Sequence, residues 1–458
     1  MTKSSADKSI SADGTTARRR HALPQPVRQT DAPRYRYTRR RWRMLFTVID
    51  LVGGWLVGAV RWASRRRGDR GEAAPHDDPR RILLVQLDHL GDAVITTVML
   101  PLLRRRYPAA TIEVLAGFWN AEIFDASAEV DRVHVSHVNR FARNRRLGWI
   151  AATFLWGWRL RQRRYDLAID VRGEFPHALI LWLCGARRRV GWRSGGGGFL
   201  LTDSPAYVPN RPEVESRLAL LEVIGIVPET GESVVPRVVP RRPAKQRVRR
   251  QLTTTLSADS GGARGPLCVL HVGAGMAAKH WPTQHWRELI GRLVVDHDAR
   301  VVIVGDDNDR AIARRILDER SWPSVFDWTG QHRIEELAAL AQQADVFVGA
   351  DSGPAHLAAA VGAPVVVLFS GTNNAEQWQP RGGPVRVVSH PVPCGPCHRT
   401  RCPLADHPCM TGLLPRAVVA LLSGMLDDGA RAPNRAASAL KVLWPNDNES
   451  HPTTEMQR

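Results

Sequence analysis

GADSGPAHLAAAVGAPVVVLF (residues 349–369) and, upstream of it, PLCVLHVGAGMAAKHWP (266–282) decide how this chain is read. Both join an apolar run to a loop rich in Gly and polar residues. Between them the pattern repeats: WPTQHWRELIGRLVVDH (281–297) has helical periodicity, ARVVIVG (299–305) and ADVFVGA (344–350) are short apolar runs, and APVVVLFS (363–370) is another. Runs of this length without polar alternation predict strands buried on both faces. Strands alternating with helices predict a parallel, doubly wound sheet.

The same cycle occurs earlier. RILLVQL (81–87) predicts a buried strand, DHLGDAVITTVMLPLLRRRYP (88–108) a tight turn and helix, and TIEVLAG (111–117), YDLAIDV (165–171) and ARRRVGW (186–192) further strands. Residues 226–265, rich in Pro, Arg, Ser and Gly, separate the two patterns. The expected organisation is a first α/β domain over 80–225, a linker over 226–265 and a second α/β domain over 266–427. A basic arm (1–43), a helix and linker (44–79) and a polar tail (428–458) complete it. There are no short-period repeats.

Of the 458 residues, 64 are Lys or Arg and 45 Asp or Glu, a formal charge of +19. That excess would suit a nucleic-acid partner if it lay on a folded face. Residues 1–80 hold 18 Lys/Arg against 8 Asp/Glu, so more than half of it precedes the first domain. The distribution argues against nucleic acid. Six cysteines, four between Cys394 and Cys409, do not make a secreted disulfide scaffold, and a reducing cytoplasm is expected.

MLFTVIDLVGGWLVGAV (44–60) is an apolar run with arginines at both ends. On a helix, Thr47, Asp50, Gly54, Gly58 and Arg61 share one stripe, and Leu45, Val48, Val52, Trp55, Leu56 and Trp62 crowd the other. Centring Asp50 in hydrocarbon would cost about 2.5 to 3.5 kcal/mol. The balance favours a helix lying in the membrane interface. A span and a helix packed on the protein are the alternatives.

In an open α/β sheet, ligands bind at the carboxyl ends of the strands. Three such loops carry tools for a nucleotide sugar. Gly273 and Gly275 permit close backbone approach, Lys279 supplies a compact cation for a diphosphate, and Asp351, Ser352 and Gly353 open a helix whose free N–H groups suit phosphate oxygens. Asp307, after its strand, is placed to accept from a ribose hydroxyl. Each has a plainer reading: a solvated lysine, a helix N-cap at Asp351, a core histidine at His356. Three such loops on one sheet favour the phosphate site.

HVGAG with KHWP, GADSGPAHLAAAVGAPVVVLF and PCGPCHRTRCPLADHPCM (393–410), together with the opening strand and turn over 81–108, resemble glycosyltransferase family 9, the ADP-heptose:lipopolysaccharide heptosyltransferases. The resemblance covers about residues 80–425. It implies a glycosyltransferase-B fold of two Rossmann-like domains facing a cleft, inversion at the sugar, no metal requirement, and transfer from ADP-heptose to the lipopolysaccharide inner core at the cytoplasmic face of the inner membrane. Lys279 and the Asp351 to His356 loop would contact the donor. Asp307 stands where the family often has Glu. The base would be Asp92, after Gly91 in the first loop. Inverting transfer needs such a group to take the acceptor hydroxyl's proton while cations and N–H dipoles meet the leaving diphosphate. Asp88 and His89 are the alternatives, and Asp92 also suits a helix N-terminus.

NRFARNRRLGWIAATFLWGWRLRQRRYD (139–166), apolar and Trp-bearing between arginines, suggests an acceptor-side or membrane-facing element, or an ordinary buried helix with a basic face. Cys394, Cys397, Cys402 and Cys409 offer thiolates for a structural zinc, or are reduced packing residues or a redox-labile pair. A Rossmann oxidoreductase is disfavoured, because the first loop lacks Gly-x-Gly-x-x-Gly. A relative moving another nucleotide-activated sugar onto O-antigen or another surface glycan is the alternative function.

Overall fold

The computed structural model describes residues 40–66, 78–138, 146–259, 265–317 and 322–431. The basic arm up to residue 39, residues 67–77 of the charged linker and the tail from residue 432 lie outside the described residues.

Helix α1 (Arg40–Arg66) precedes the first domain. There β1 (Arg81–Gln86), α2 (Leu90–Thr96), β2 (Thr111–Gly117), β3 (Arg132–Ser136), α3 (Arg146–Arg161), β4 (Leu167–Asp170), α4 (Phe175–Leu183), β5 (Arg188–Val190) and α5 (Glu213–Glu222) follow in order. Among the described residues the strands form a five-stranded parallel sheet ordered β3-β2-β1-β4-β5. Its continuous apolar strands are buried on both sides, as their composition predicts. Ile82 and Leu84 of β1 enter one core cluster with Val94 of α2, and the alternate residues Leu83 and Val85 enter another with Ile180 and Leu181 of α4.

The second domain begins earlier than the sequence suggests. Residues 242–259 of the expected linker are a helix, α6 (Arg242–Asp259). Its Ala244, Val248 and Leu252 recur every four residues and pack under the second sheet. After it come β6 (Leu267–His271), α7 (Thr283–His297), β7 (Arg300–Val304), β8 (Val325–Asp327), α8 (Ile334–Gln343), β9 (Val346–Ala350), α9 (Gly353–Ala360), β10 (Val365–Phe369), β11 (Val385–Ser389) and α10 (Pro415–Arg431). The sheet order is β11-β10-β9-β6-β7-β8, all parallel.

In both sheets the order reverses beside the first strand, between β1 and β4 and between β6 and β9. Such a switch point opens a crevice at the carboxyl ends of the strands. The two halves meet near these crevices. Leu357 and Ala360 of α9 belong to the first half's core cluster, the Val238 amide donates to the Ala360 carbonyl at 3.1 Å, and Arg333 pairs with Glu122 at 2.6 Å.

Candidate active site

The loop after β1 and the loop after β9 carry the expected base and the expected donor-binding run, and the structure sets them face to face. Helices α2 and α9 begin against each other. A methyl group added at Gly353 would stand 2.7 Å from Leu90 Cβ, and one added at Gly91 would stand 3.2 Å from His356 Cδ2. Only residues without a side chain let the two helix N-termini approach so closely. Asp92, in the first turn of α2, therefore lies at the boundary between the halves.

Asp92 is buried, and its Oδ1 accepts from Arg217 Nη2 at 3.1 Å. Arg217, on α5, is buried as well and donates through Nη1 to Glu213 Oε2 at 2.9 Å. Gln377 of the second half donates to the other Glu213 oxygen at 2.9 Å. Arg217 and Glu213 were not foreseen, because only the fold brings α5 to a loop so distant in sequence. Their one local sign is the i, i+4 Glu-to-Arg spacing.

The alternative base Asp88 is committed elsewhere. Fully buried, its carboxylate is ion-paired with Arg172 and accepts the His89 amide at 3.0 Å, while its carbonyl accepts from Trp119 Nε1 and Asn120 Nδ2. Arg172 also reaches Glu174 at 2.7 Å. Alongside, Asp170 at the end of β4 accepts from the Gly173 amide and meets His177 Nδ1 at 3.0 Å. This cluster lies at the carboxyl ends of β1 and β4. Of the Trp-bearing stretch, residues 139–145 lie outside the described residues and Arg146–Arg161 form helix α3, whose Trp149 and Trp156 line a small hollow with Pro176 and His177 of α4.

In the loop after β6, Lys279 is buried. Its Nζ donates to Asp351 Oδ2 at 2.6 Å and to the Asp351 carbonyl at 2.9 Å, and Asn373 Nδ2 donates to Asp351 at 2.8 Å. The solvated-lysine reading is thereby excluded. Asp351 holds that lysine rather than capping α9; the N-cap position is Ser352, whose hydroxyl donates to the Ala350 carbonyl at 3.2 Å. His356, buried in the first turns of α9, has its pKa pushed down to about 4, chiefly by burial, and is neutral at physiological pH.

The loops after β6 and β7 are less as expected. A methyl group at Gly273 would collide with the Asp309 carboxylate, whereas Gly275 faces open space. Asp307 is at the sheet edge, but its exposed carboxylate pairs with Arg310 at 2.9 Å. The acid pressed against the loop after β6 is Asp309, whose pKa is raised, chiefly by burial. Asp309 Oδ2 is 3.9 Å from His271 Nε2, and burial drives the His271 pKa down to about 4. The zinc expectation is not met: no three His, Cys, Asp or Glu residues among the described ones are gathered to hold a metal ion. Cys409 is buried while Cys394 is exposed.

Comparison with known proteins places this geometry in a family. The family described as Glycosyltransferase family 9 (heptosyltransferase) matches residues 156–407. The chain is 26% identical over 316 residues to lipopolysaccharide heptosyltransferase 2 of Escherichia coli K12, covering 67% of this chain and 87% of that protein. It is 27% identical over 297 residues to lipopolysaccharide heptosyltransferase 3 of Escherichia coli, covering 63% and 83%. The solved structure of Escherichia coli ADP-heptose lipopolysaccharide heptosyltransferase II shares the two-sheet fold, with a TM-score of 0.63 at 24% identity over 77% of this chain and all of that one.

Proposed function

The chain belongs to glycosyltransferase family 9, the heptosyltransferase family, and from that premise we propose that it transfers a heptose from ADP-heptose to the lipopolysaccharide inner core with inversion, in the cleft between its two halves. The observation that carries this reading is the abutment of α2 on α9, which sets the Asp92 loop against the donor loop. Asp92 takes the proton of the acceptor hydroxyl as its oxygen attacks the anomeric carbon. The bond from that carbon to the diphosphate breaks, and ADP leaves with the bond's electrons. Lys279 and the N–H groups opening α9 meet the charge that develops on the diphosphate. These groups supply the electrophilic help, so the proposed route uses no metal.

Gly273 and Gly275 let the donor approach the backbone after β6, and Ser352 and His356 line the sugar side. Asp307 or its neighbour Asp309 receives the ribose. The acceptor enters from the crevice between β1 and β4, where Arg172 and the arginines around α3 suit phosphorylated, acidic sugars. A lipid-anchored acceptor implies an enzyme peripheral to the cytoplasmic face of the membrane.

Incubating the purified full chain with ADP-heptose, a panel of other nucleotide sugars and truncated lipopolysaccharides tests the reading. ADP-heptose is expected to be consumed, with heptose appearing on an inner-core acceptor. No turnover of ADP-heptose with any acceptor, alongside transfer from another nucleotide sugar, would move the assignment to O-antigen or another surface glycan.

A further inference from the structure

Helix α1 meets the first domain along the side that carries Asp50. Phe46, Ile49, Asp50, Gly53 and Val57, spaced three or four apart, form its partly buried stripe. Asp50 Oδ1 accepts the Gly197 amide at 2.7 Å. The Phe46 ring lies 6.3 Å from that of Phe175, at the start of α4. The surface receiving the helix is the run RSGGGGF (193–199), which the nucleotide-sugar reading leaves unexplained. Gly196 and Gly197 take φ of +83° and +77°, and a methyl group at Gly196 would strike Phe46. One at Gly53 would strike the Phe199 ring. The glycines shape a socket.

The opposite face of α1 is exposed. Leu45, Val48, Val52, Trp55 and Leu56 all face outward, Trp55 at 73%. A contiguous apolar face of this kind on a soluble domain marks an interaction surface. Charge identifies the partner. Arg40, Arg41 and Arg43 begin the helix, Arg61, Arg65 and Arg66 end it, and its single acidic residue, Asp50, is turned to the protein. Apolar and Trp residues between basic ends fit the headgroup and acyl boundary of an anionic leaflet. The socket grips the middle of the helix, so α1 lies along the domain and cannot have lipid on all sides. Helix α3, which packs along α4 in the core cluster that also holds Phe199, exposes Ile150, Phe154, Leu155 and Trp158.

The socket also adjoins the cleft. A methyl group at Gly195 would collide with the Gly173 carbonyl, and Gly173 follows Arg172, which is ion-paired with Asp88. We propose that α1 is an orienting dock: its apolar face inserts into an anionic leaflet while Asp50 and the glycine socket clamp it to the acceptor edge of the first half. The enzyme then presents that edge to a lipid-anchored acceptor, an inference that rests on the acceptor assigned under Proposed function. The exposed face binds membrane; the clamp sets direction.

Two variants of the full chain separate these roles, with thermal melting to verify folding. Val52→Glu/Trp55→Glu alters the exposed face, and Gly53→Leu wedges the socket. Sedimentation with phosphatidylglycerol/phosphatidylethanolamine vesicles should show at least tenfold weaker binding for the first variant and unchanged binding for the second. Both should transfer normally to a soluble, deacylated acceptor, and both should lose at least tenfold on the same acceptor embedded in vesicles. The proposal is overturned if the first variant binds these vesicles like the parent, or if Gly53→Leu keeps full transfer to the embedded acceptor. It is equally overturned if light scattering shows a dimer of the parent that the first variant dissociates, since a second copy would then cover the face. Failure of the parent on the soluble acceptor would count against the heptose assignment, while vesicle binding is scored separately.

Discussion

Arg217 holds Asp92: the guanidinium of a helix after the first sheet reaches back 3.1 Å to the carboxylate in the first turn of α2, and both side chains are buried. Through its other nitrogen Arg217 binds Glu213, which Gln377 of the second half also binds. One arginine thus ties the proposed base to a contact across the cleft.

Arg217→Lys keeps a positive charge but loses the fork that reaches two carboxylates at once. Asp92 should shift by a fraction of an ångström, and kcat should fall by about tenfold to a hundredfold with the donor KM little changed. Steady-state kinetics with a melting curve checks this. Arg217→Ala, which leaves Asp92 buried without its cation, should instead destabilise the fold by about 3 to 5 kcal/mol.

Lys279 and Asp351 are expected to part company when a diphosphate binds. Lys279→Ala should cost about 2 to 4 kcal/mol of transition-state stabilisation, seen as a loss in kcat/KM. Measured ADP affinity should fall as well, because the cation meets the diphosphate in product and transition state alike. Unchanged ADP binding would remove Lys279 from the donor site.

A second buried cluster predicts the pH dependence of stability. Burial pushes the Glu113 carboxyl upward, but hydrogen bonds from His134, Arg163 and Tyr165 outweigh it and hold the pKa down at about 2. A folded value below the unfolded one means that the charged form stabilises the fold above about pH 4.3. That contribution is lost as pH falls towards 2. Glu113→Gln should therefore lower Tm clearly at pH 7, and the gap to the parent should close as the acid limb is approached. A gap independent of pH would show that packing, not charge, is what Glu113 contributes.

The fold was legible where strands are buried on both faces. RILLVQ, TIEVLAG, RVVIV and VVVLF are continuous apolar runs because helices cover both sides of each sheet. Three of the four edge strands, β3, β8 and β11, escaped notice for the converse reason. β3 (RVHVS) and β11 (VRVVS) are half exposed and carry polar residues, and β8 has only three residues. Helix α6 was hidden by composition, since its arginines and its Pro suggested a linker although Ala244, Val248 and Leu252 recur at helical spacing.

The candidate site was legible in its loops and not in its couplings. Asp92, Lys279 and Asp351 follow strands, so position along the chain alone places them at the ligand edge. Arg217 reaches Asp92, Glu213 reaches Gln377 and Arg172 reaches Asp88 only through the tertiary fold. Asp309, rather than Asp307, packs against the loop after β6 because the turn after β7 caps itself with Asp306 and Asp309 and turns Asp307 outward to Arg310. For α1, the sequence set a polar stripe through Asp50 against an apolar one; the structure turns Asp50 to the protein, but Phe46, Ile49, Gly53 and Val57 accompany it and Gly58 of the expected polar stripe is exposed.

The proposed transfer depends most directly on Asp92. With the full chain, ADP-heptose and an inner-core acceptor, single-turnover transfer by Asp92→Asn should be slower by roughly two to four orders of magnitude. Calorimetric affinity for ADP and the melting temperature should match the parent. Transfer at a near-parental rate with the same donor affinity would contradict the account, because the base would then have to lie elsewhere in the cleft.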